Sequence, residues 1–162
     1  MSKEKLYIAY GSNINLEQMA HRCPTAEKVG TAMLSGYELQ FKGVATIAKN
    51  KETQTPVLAW RLKPQDEKSL DIYEGYPNFY RKETIELEID GENQEAMVYI
   101  MNGDGPLQIP SDGYYTSILR GYEANDMDTE YLNTALEQAI EEKMTMSEDL
   151  EEEQGFQMNM GW

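Results

Sequence analysis

Two extended runs, ETIELEI and ENQEAMVYIM, flank the dipeptide Asp90-Gly91. That dipeptide accommodates the positive φ angles of a tight two-residue turn, so the pattern commits this part of the chain to an antiparallel hairpin. Any fold the sequence adopts must contain a sheet. The other segments are then read as elements that extend or cover it.

Leu6 to Tyr10 is a short apolar and aromatic run, expected as a largely buried strand. Asn15 can cap a short helix to about Arg22, with Gln18 three residues on as a capping box asks. Ala26 to Lys49 looks extended, punctuated by Gly30, Gly36 and Gly43, and TPVLAWRL supplies another strand with Pro56 near its start. In KPQDEKSLDIYEG the period changes. Pro64 and acids mark a helix start, Leu70 and Tyr73 fall three apart, and Gly75 ends it. Ser111 can cap a helix to about Tyr122. A last helix, from about Thr129 to Lys143, puts Leu132, Leu136, Ala139 and Ile140 on one stripe. The reading is one α+β domain over residues 1–145, with a mostly antiparallel or mixed sheet, open or closed into a barrel, and helices at its side and end. Residues 146–162 are expected as an acidic, solvated C-terminal tail.

Charge narrows the partners. Twenty-nine acids against fourteen Lys and Arg give a formal net charge of -15. A nucleic-acid binder needs clustered cations to neutralise phosphates, and an anionic membrane would repel such a chain. No apolar run approaches the roughly 20 residues needed to cross a bilayer. The N-terminus lacks a signal-peptide apolar core, and Cys23 has no second cysteine to pair with. The expectation is a cytoplasmic protein with no nucleic-acid or membrane partner. Oligomeric state stays open.

The inventory of reactive groups is short. His21 and Cys23 offer two metal ligands where a tetrahedral site wants three or four, and their spacing on a helix turns them apart. No Walker loop or dinucleotide fingerprint is present. The sequence therefore predicts no metal site and no cofactor, and attention passes to carboxylates. Glu74 stands out, at a helix end within LDIYEGYPNFYR, among Ile72, Tyr73, Tyr76, Phe79 and Tyr80. Apolar surroundings and the negative end of a helix both raise a carboxyl pKa, which suits a general base that returns its proton as an acid. On composition alone, the plainer reading is that Glu-Gly closes a helix with Glu74 facing water. Tyr10-Gly11-Ser12-Asn13 has two readings as well. It is either a simple turn or a polar cradle whose backbone N–H groups meet an anion or developing oxyanion.

Three segments in order resemble the gamma-glutamylcyclotransferase family: YIAYGSN at the first strand and turn, LDIYEGYPNFYRKE, and PSDGYYTSILRGYE. The likeness covers roughly Leu6 to Ile140. It implies a small mixed β-barrel with flanking helices and makes Glu74 the general acid/base. The resemblance also implies that Tyr7, Ile8, Ala9, Tyr10, Gly11 and Ser12 form the substrate-holding strand and loop, with Asn13 supporting the turn. Tyr114, of the Pro-Ser-x-x-Tyr helix, would line the same pocket. Departures are Ile14 after the loop, EANDMD in place of a shorter turn, and the acidic tail. The implied reaction cyclises a γ-glutamyl amide to 5-oxoproline and releases an amine or amino acid, with a small γ-glutamyl molecule as partner. Two other readings keep the same residues: a non-catalytic module that binds a small carboxylate, and an interaction protein working through its acidic, Met-rich end.

Overall fold

The computed structural model describes residues 4–160, and side-chain surroundings for 4–148. Five strands form one sheet in the order β2-β3-β1-β5-β4: β1 (Lys5–Ala9), β2 (Glu27–Lys42), β3 (Val44–Leu62), β4 (Tyr80–Ile89) and β5 (Glu92–Met101). A 3₁₀ turn, Ser12–Ile14, follows β1. The helices are α1 (Leu16–Arg22), α2 (Pro64–Glu74), α3 (Asp112–Ala124) and α4 (Glu130–Met160).

The Asp90-Gly91 hairpin forms as its sequence requires, with Ile89 paired to Glu92 and both turn residues at positive φ, 51° and 81°. The sheet is mixed because β1 runs antiparallel to β3 and parallel to β5. Pairing among the described residues leaves it open between the edge strands β2 and β4, although these edges approach one another. The expected helices flank it. The architecture is thus the mixed α+β one implied, without closure into a barrel.

β3 corrects one expectation. The polar stretch around Lys51 separates two apolar runs in the sequence, yet both runs belong to one long strand. Tyr37 pairs with Lys49 and Ser35 with Gln54, so residues 50–53 of β3 face Gly36 alone on β2. Gly36 adopts φ 82°, which a glycine takes at little cost. A wide irregularity therefore absorbs the polar residues while pairing continues on both sides. Pro56 lies inside this strand but outside Leu58–Leu62, the part that also pairs with β1, so its missing N–H costs no ladder bond on that side.

The core gathers Ile8, Val57, Leu58, Ala59 and Val98 from the central strands with Leu70 of α2 and Ile118 and Tyr122 of α3. On α4 the buried stripe is Leu132, Ala135 and Ala139, whereas Ile140 is exposed. The helix seats its small residues against β2, so the expected stripe is rotated. Its length also differs. Rather than ending near Lys143, α4 continues to Met160, because Glu, Met, Leu and Gln favour helix and the segment contains no proline. The last residues of the expected tail, 161–162, lie outside the described residues. No described helix is long and apolar enough to cross a membrane.

Asn15 holds the turn after β1 in place. Its side-chain oxygen accepts from Gln18 N at 3.0 Å, and its amide donates to Ser117 O of α3 at 2.9 Å. Gln18 does not close the reciprocal half of a capping box. Its amide donates instead to Ser117 Oγ at 2.7 Å. Asn15→Ala removes a cap and a bridge together, and we expect a loss of about 1–2 kcal/mol, read from the midpoint of urea unfolding.

Candidate active site

β1 delivers its last residues into the turn, and α2 ends at Glu74 directly opposite. Between them lies a cavity of about 200 Å³ lined by Tyr7, Tyr10, Gly11, Ser12 and Asn13 from the first segment and by Tyr73 and Glu74 from α2. Val44 and Ala45 of β3, Phe79, Tyr80, Tyr99 and Tyr114 complete the wall. The sequence thus pointed to seven residues that meet in one place. Ile8 and Ala9, from the same stretch, do not line the cavity. Both are buried in the core, where they support the strand.

Glu74 sits on the inner face of α2 because it lies one helical turn beyond Leu70, which is wholly buried. Gly75 then terminates the helix at φ 65°, with Tyr76 N donating to Asp71 O. The surroundings differ from the ring of neighbours expected. Tyr73, Phe79 and Tyr80 do face the cavity, but Ile72 is 84% exposed, and Tyr76 packs under the Lys82 ammonium. Burial pushes the Glu74 carboxyl up to about 7, and the Arg22 guanidinium pulls in the opposite direction. A carboxyl at this value exchanges protons readily near neutrality.

Asn13 Nδ2 donates to Tyr7 Oη at 2.9 Å and reaches Glu74 Oε1 at 3.4 Å. Its oxygen accepts from Arg22 Nη1 at 2.7 Å, which fixes the amide so that its NH₂ faces the cavity. Trp60 Nε1 donates to Asn13 O at 3.1 Å. Arg22 in turn donates to Gln18 Oε1 at 2.7 Å and lies 3.7 Å from the centre of the Tyr73 ring. Sequence reading did not select Arg22. It sits nine residues beyond Asn13, at the far end of α1, and only the turn between them brings it back.

The tyrosines fasten the wall. Tyr10 Oη donates to Tyr99 O and Tyr80 Oη to Ala45 O, both at 2.6 Å, while Tyr114 Oη accepts from Ala45 N at 3.0 Å. Ser12 Oγ and Tyr73 Oη are 2.9 Å apart. Burial raises the phenol pKa of Tyr7, Tyr10, Tyr80, Tyr99 and Tyr114, so these hydroxyls stay protonated donors. A Cβ on Gly11 would stand 3.1 Å from Ala45 Cβ and 3.3 Å from Tyr114 Oη. β3 and α3 close on the turn from both sides, so a side chain there requires its neighbours to give by a few tenths of an ångström. Elsewhere, His21 is exposed and Cys23 buried, its thiol pushed up to about 12 by burial. The described residues hold no cluster of three or more His, Cys, Asp or Glu able to take a metal ion.

Among the described residues, Arg22 is the cation that favours the charged form of Glu74, and Arg22→Gln removes it. We expect the Glu74 titration, followed by NMR of its side-chain carboxyl, to move upward from about 7. An unchanged midpoint would mean that Arg22 acts only on Asn13.

Comparison with known proteins places the chain in a family. Residues 7–117 match the family described as "Gamma-glutamyl cyclotransferase, AIG2-like". Gamma-glutamylcyclotransferase of Mus musculus is 28% identical over 141 residues, which cover 78% of this chain and 74% of that protein. The Homo sapiens protein of the same name is 27% identical with the same coverage. A solved structure titled "Gamma-glutamyl cyclotransferase" superposes with a TM-score of 0.74 at 24% identity, covering 82% of this chain and 86% of that one. The cavity at the end of β1 therefore lies within the matched segment. The chain belongs to the gamma-glutamyl cyclotransferase, AIG2-like family.

Proposed function

We propose that this protein is a cyclotransferase that converts a γ-glutamyl amide into 5-oxoproline and releases an amine or amino acid, with Glu74 as general acid/base. The observation that carries the reading is the half-buried Glu74 carboxyl facing the polar turn Tyr10–Asn13 across a cavity of about 200 Å³, where burial raises its pKa to about 7. The nucleophile belongs to the substrate, since its own α-amine attacks its γ-carbonyl. No serine, cysteine or activated water is required of the protein.

Proton accounting fits one carboxylate. The α-ammonium begins with three N–H bonds and the lactam keeps one. The other two protons pass to the departing nitrogen, at least the first through Glu74. The new C–N bond forms as the amide C–N bond breaks. Folding the glutamyl chain against the wall supplies the advantage of an intramolecular reaction, worth up to about 7–11 kcal/mol in well-oriented systems. Backbone N–H groups of Gly11 and Ser12 steady the charge on the γ-carbonyl oxygen. Tyr114 acts from behind, holding Ala45 and the floor of the pocket in place.

The test is mass-spectrometric detection of 5-oxoproline from γ-glutamyl amino acids, γ-glutamyl amines and glutathione. Stoichiometric 5-oxoproline and free amine are the expected products. Ligand binding without either product would leave a small-carboxylate-binding module.

A further inference from the structure

Two aromatic side chains form part of the cavity wall and yet stand half in solvent: Phe79 is 52% exposed and Tyr73 44%. Aromatic rings left open at the mouth of a polar cavity are sites that await an apolar partner. Neither residue is loosely held. Phe79 N donates to Gly75 O at 2.8 Å, and Phe79 O accepts from Asn102 N at 3.0 Å. The Phe79 ring meets that of Tyr80 edge-on, with centroids 5.0 Å apart. Tyr73 is fixed through its hydroxyl to Ser12 and covered on one face by Arg22. Val44, also in the wall, adds a branched aliphatic surface.

Charge excludes the alternative occupant. Among the described residues, those lining the cavity include no lysine, arginine or histidine, and the one carboxylate among them is Glu74. Arg22 is stacked on one face of Tyr73, with its Nη1 and Nη2 donated to Asn13 and Gln18. The glutamyl α-carboxylate can use the Ser12 hydroxyl and the Asn13 backbone N–H, which leaves the Gly11 and Ser12 N–H groups to the γ-carbonyl oxygen. A second carboxylate on the side chain of the leaving group would find no cation in the outer wall, in a chain of net charge -15.

We infer that the outer wall formed by Phe79, Tyr73 and Val44 selects leaving groups with an aromatic or branched apolar side chain and disfavours acidic ones. This rests on the cyclotransferase reading, because the ring of Phe79 recognises the part of the substrate that departs. The leaving group's apolar side chain stacks on Phe79 while its nitrogen stays near Glu74. Bulk water is excluded from the scissile amide in the same movement.

The test compares kcat/KM for γ-glutamyl-phenylalanine, γ-glutamyl-alanine and γ-glutamyl-glutamate in the wild-type protein and in Phe79→Ala and Phe79→Trp. Differences in a hydrophobic pocket of this kind give about 10–200-fold discrimination. The expected wild-type order is phenylalanine, then alanine, then glutamate. In Phe79→Ala the phenylalanine-to-alanine ratio falls toward one, and in Phe79→Trp it persists. Thermal melts confirm that both variants are folded. Turnover of all three substrates at similar rates, or a ratio unchanged in folded Phe79→Ala, overturns the inference and leaves the cyclisation reading standing. Absence of 5-oxoproline from these three substrates overturns the inference, and absence across the γ-glutamyl amines and glutathione as well removes the cyclisation reading with it.

Discussion

Glu74→Gln should lower kcat for 5-oxoproline formation by about 10²–10⁴-fold, the range over which a positioned acid/base contributes, while KM changes little. The substitution preserves shape, and the new side-chain oxygen can still accept from Asn13 Nδ2, so substrate should bind as before. What disappears is the group that carries a proton between the two nitrogens. In the wild type, only the ionised form can accept that proton. Log kcat/KM should therefore rise with pH and level off above about 7, where burial has placed the Glu74 carboxyl. The variant should lack this limb.

Stability separates chemistry from folding in the same experiment. The folded pKa of Glu74 lies above the unfolded value of about 4.5, so its contribution is fully present below that value and is lost as pH rises through about 7. Above pH 7 the native state holds a half-buried charge that glutamine does not impose. Melting at pH 8 should thus show Glu74→Gln to be as stable as the wild type or more so. A variant that melts normally and still forms product at the wild-type rate would falsify the assignment of Glu74.

Gly121→Ala should produce the largest structural effect of any single-methyl change in α3. A Cβ at this position would stand 2.7 Å from the carbonyl carbon of Ile14 and 2.8 Å from Asn15 N, closer than real Cβ atoms approach. Both targets are backbone, so no side chain can swing aside. Either α3 lifts away or the Ser12–Ile14 turn moves, and overpacking of this kind costs about 1–3 kcal/mol. That turn carries Ser12 and Asn13 into the cavity, so kcat/KM should fall together with the urea midpoint. Gly113→Ala, in the first turn of the same helix, meets nothing within 4 Å. It should be neutral or stabilising by up to about 1 kcal/mol. Equal effects at the two positions would show that helix propensity, rather than contact with the turn, governs α3.

The candidate site was only partly legible in the chain. Tyr10–Asn13, Glu74 and Tyr114 carry recognisable neighbours, and all of these residues line one cavity. Arg22 and Tyr99 carry none. Arg22 matters because the turn after β1 folds α1 back over Asn13, and Tyr99 because β5 runs parallel beside β1. Parallel pairing between strands so distant in sequence leaves no local pattern. Ile72 shows the opposite error: adjacent to Glu74 in sequence, it points away from the cavity, since α2 rotates neighbouring residues by about 100°.

Elements whose information is local could be read from the chain alone. The Asp90-Gly91 turn, the Asn15 and Ser111 caps and the Gly75 stop all form where backbone conformation and short-range hydrogen bonds demand them. The sequence also set the strongly acidic charge and, through the order of three motifs, the family. Tertiary structure decided the rest. It fused two apolar runs into β3 by opposing residues 50–53 to Gly36, and it left the sheet open between β2 and β4. It also buried Glu74 opposite the β1 turn. Those outcomes depend on which surfaces exclude water from one another, and a carboxyl reaches a pKa near 7 only after residues far apart in the chain have closed around it.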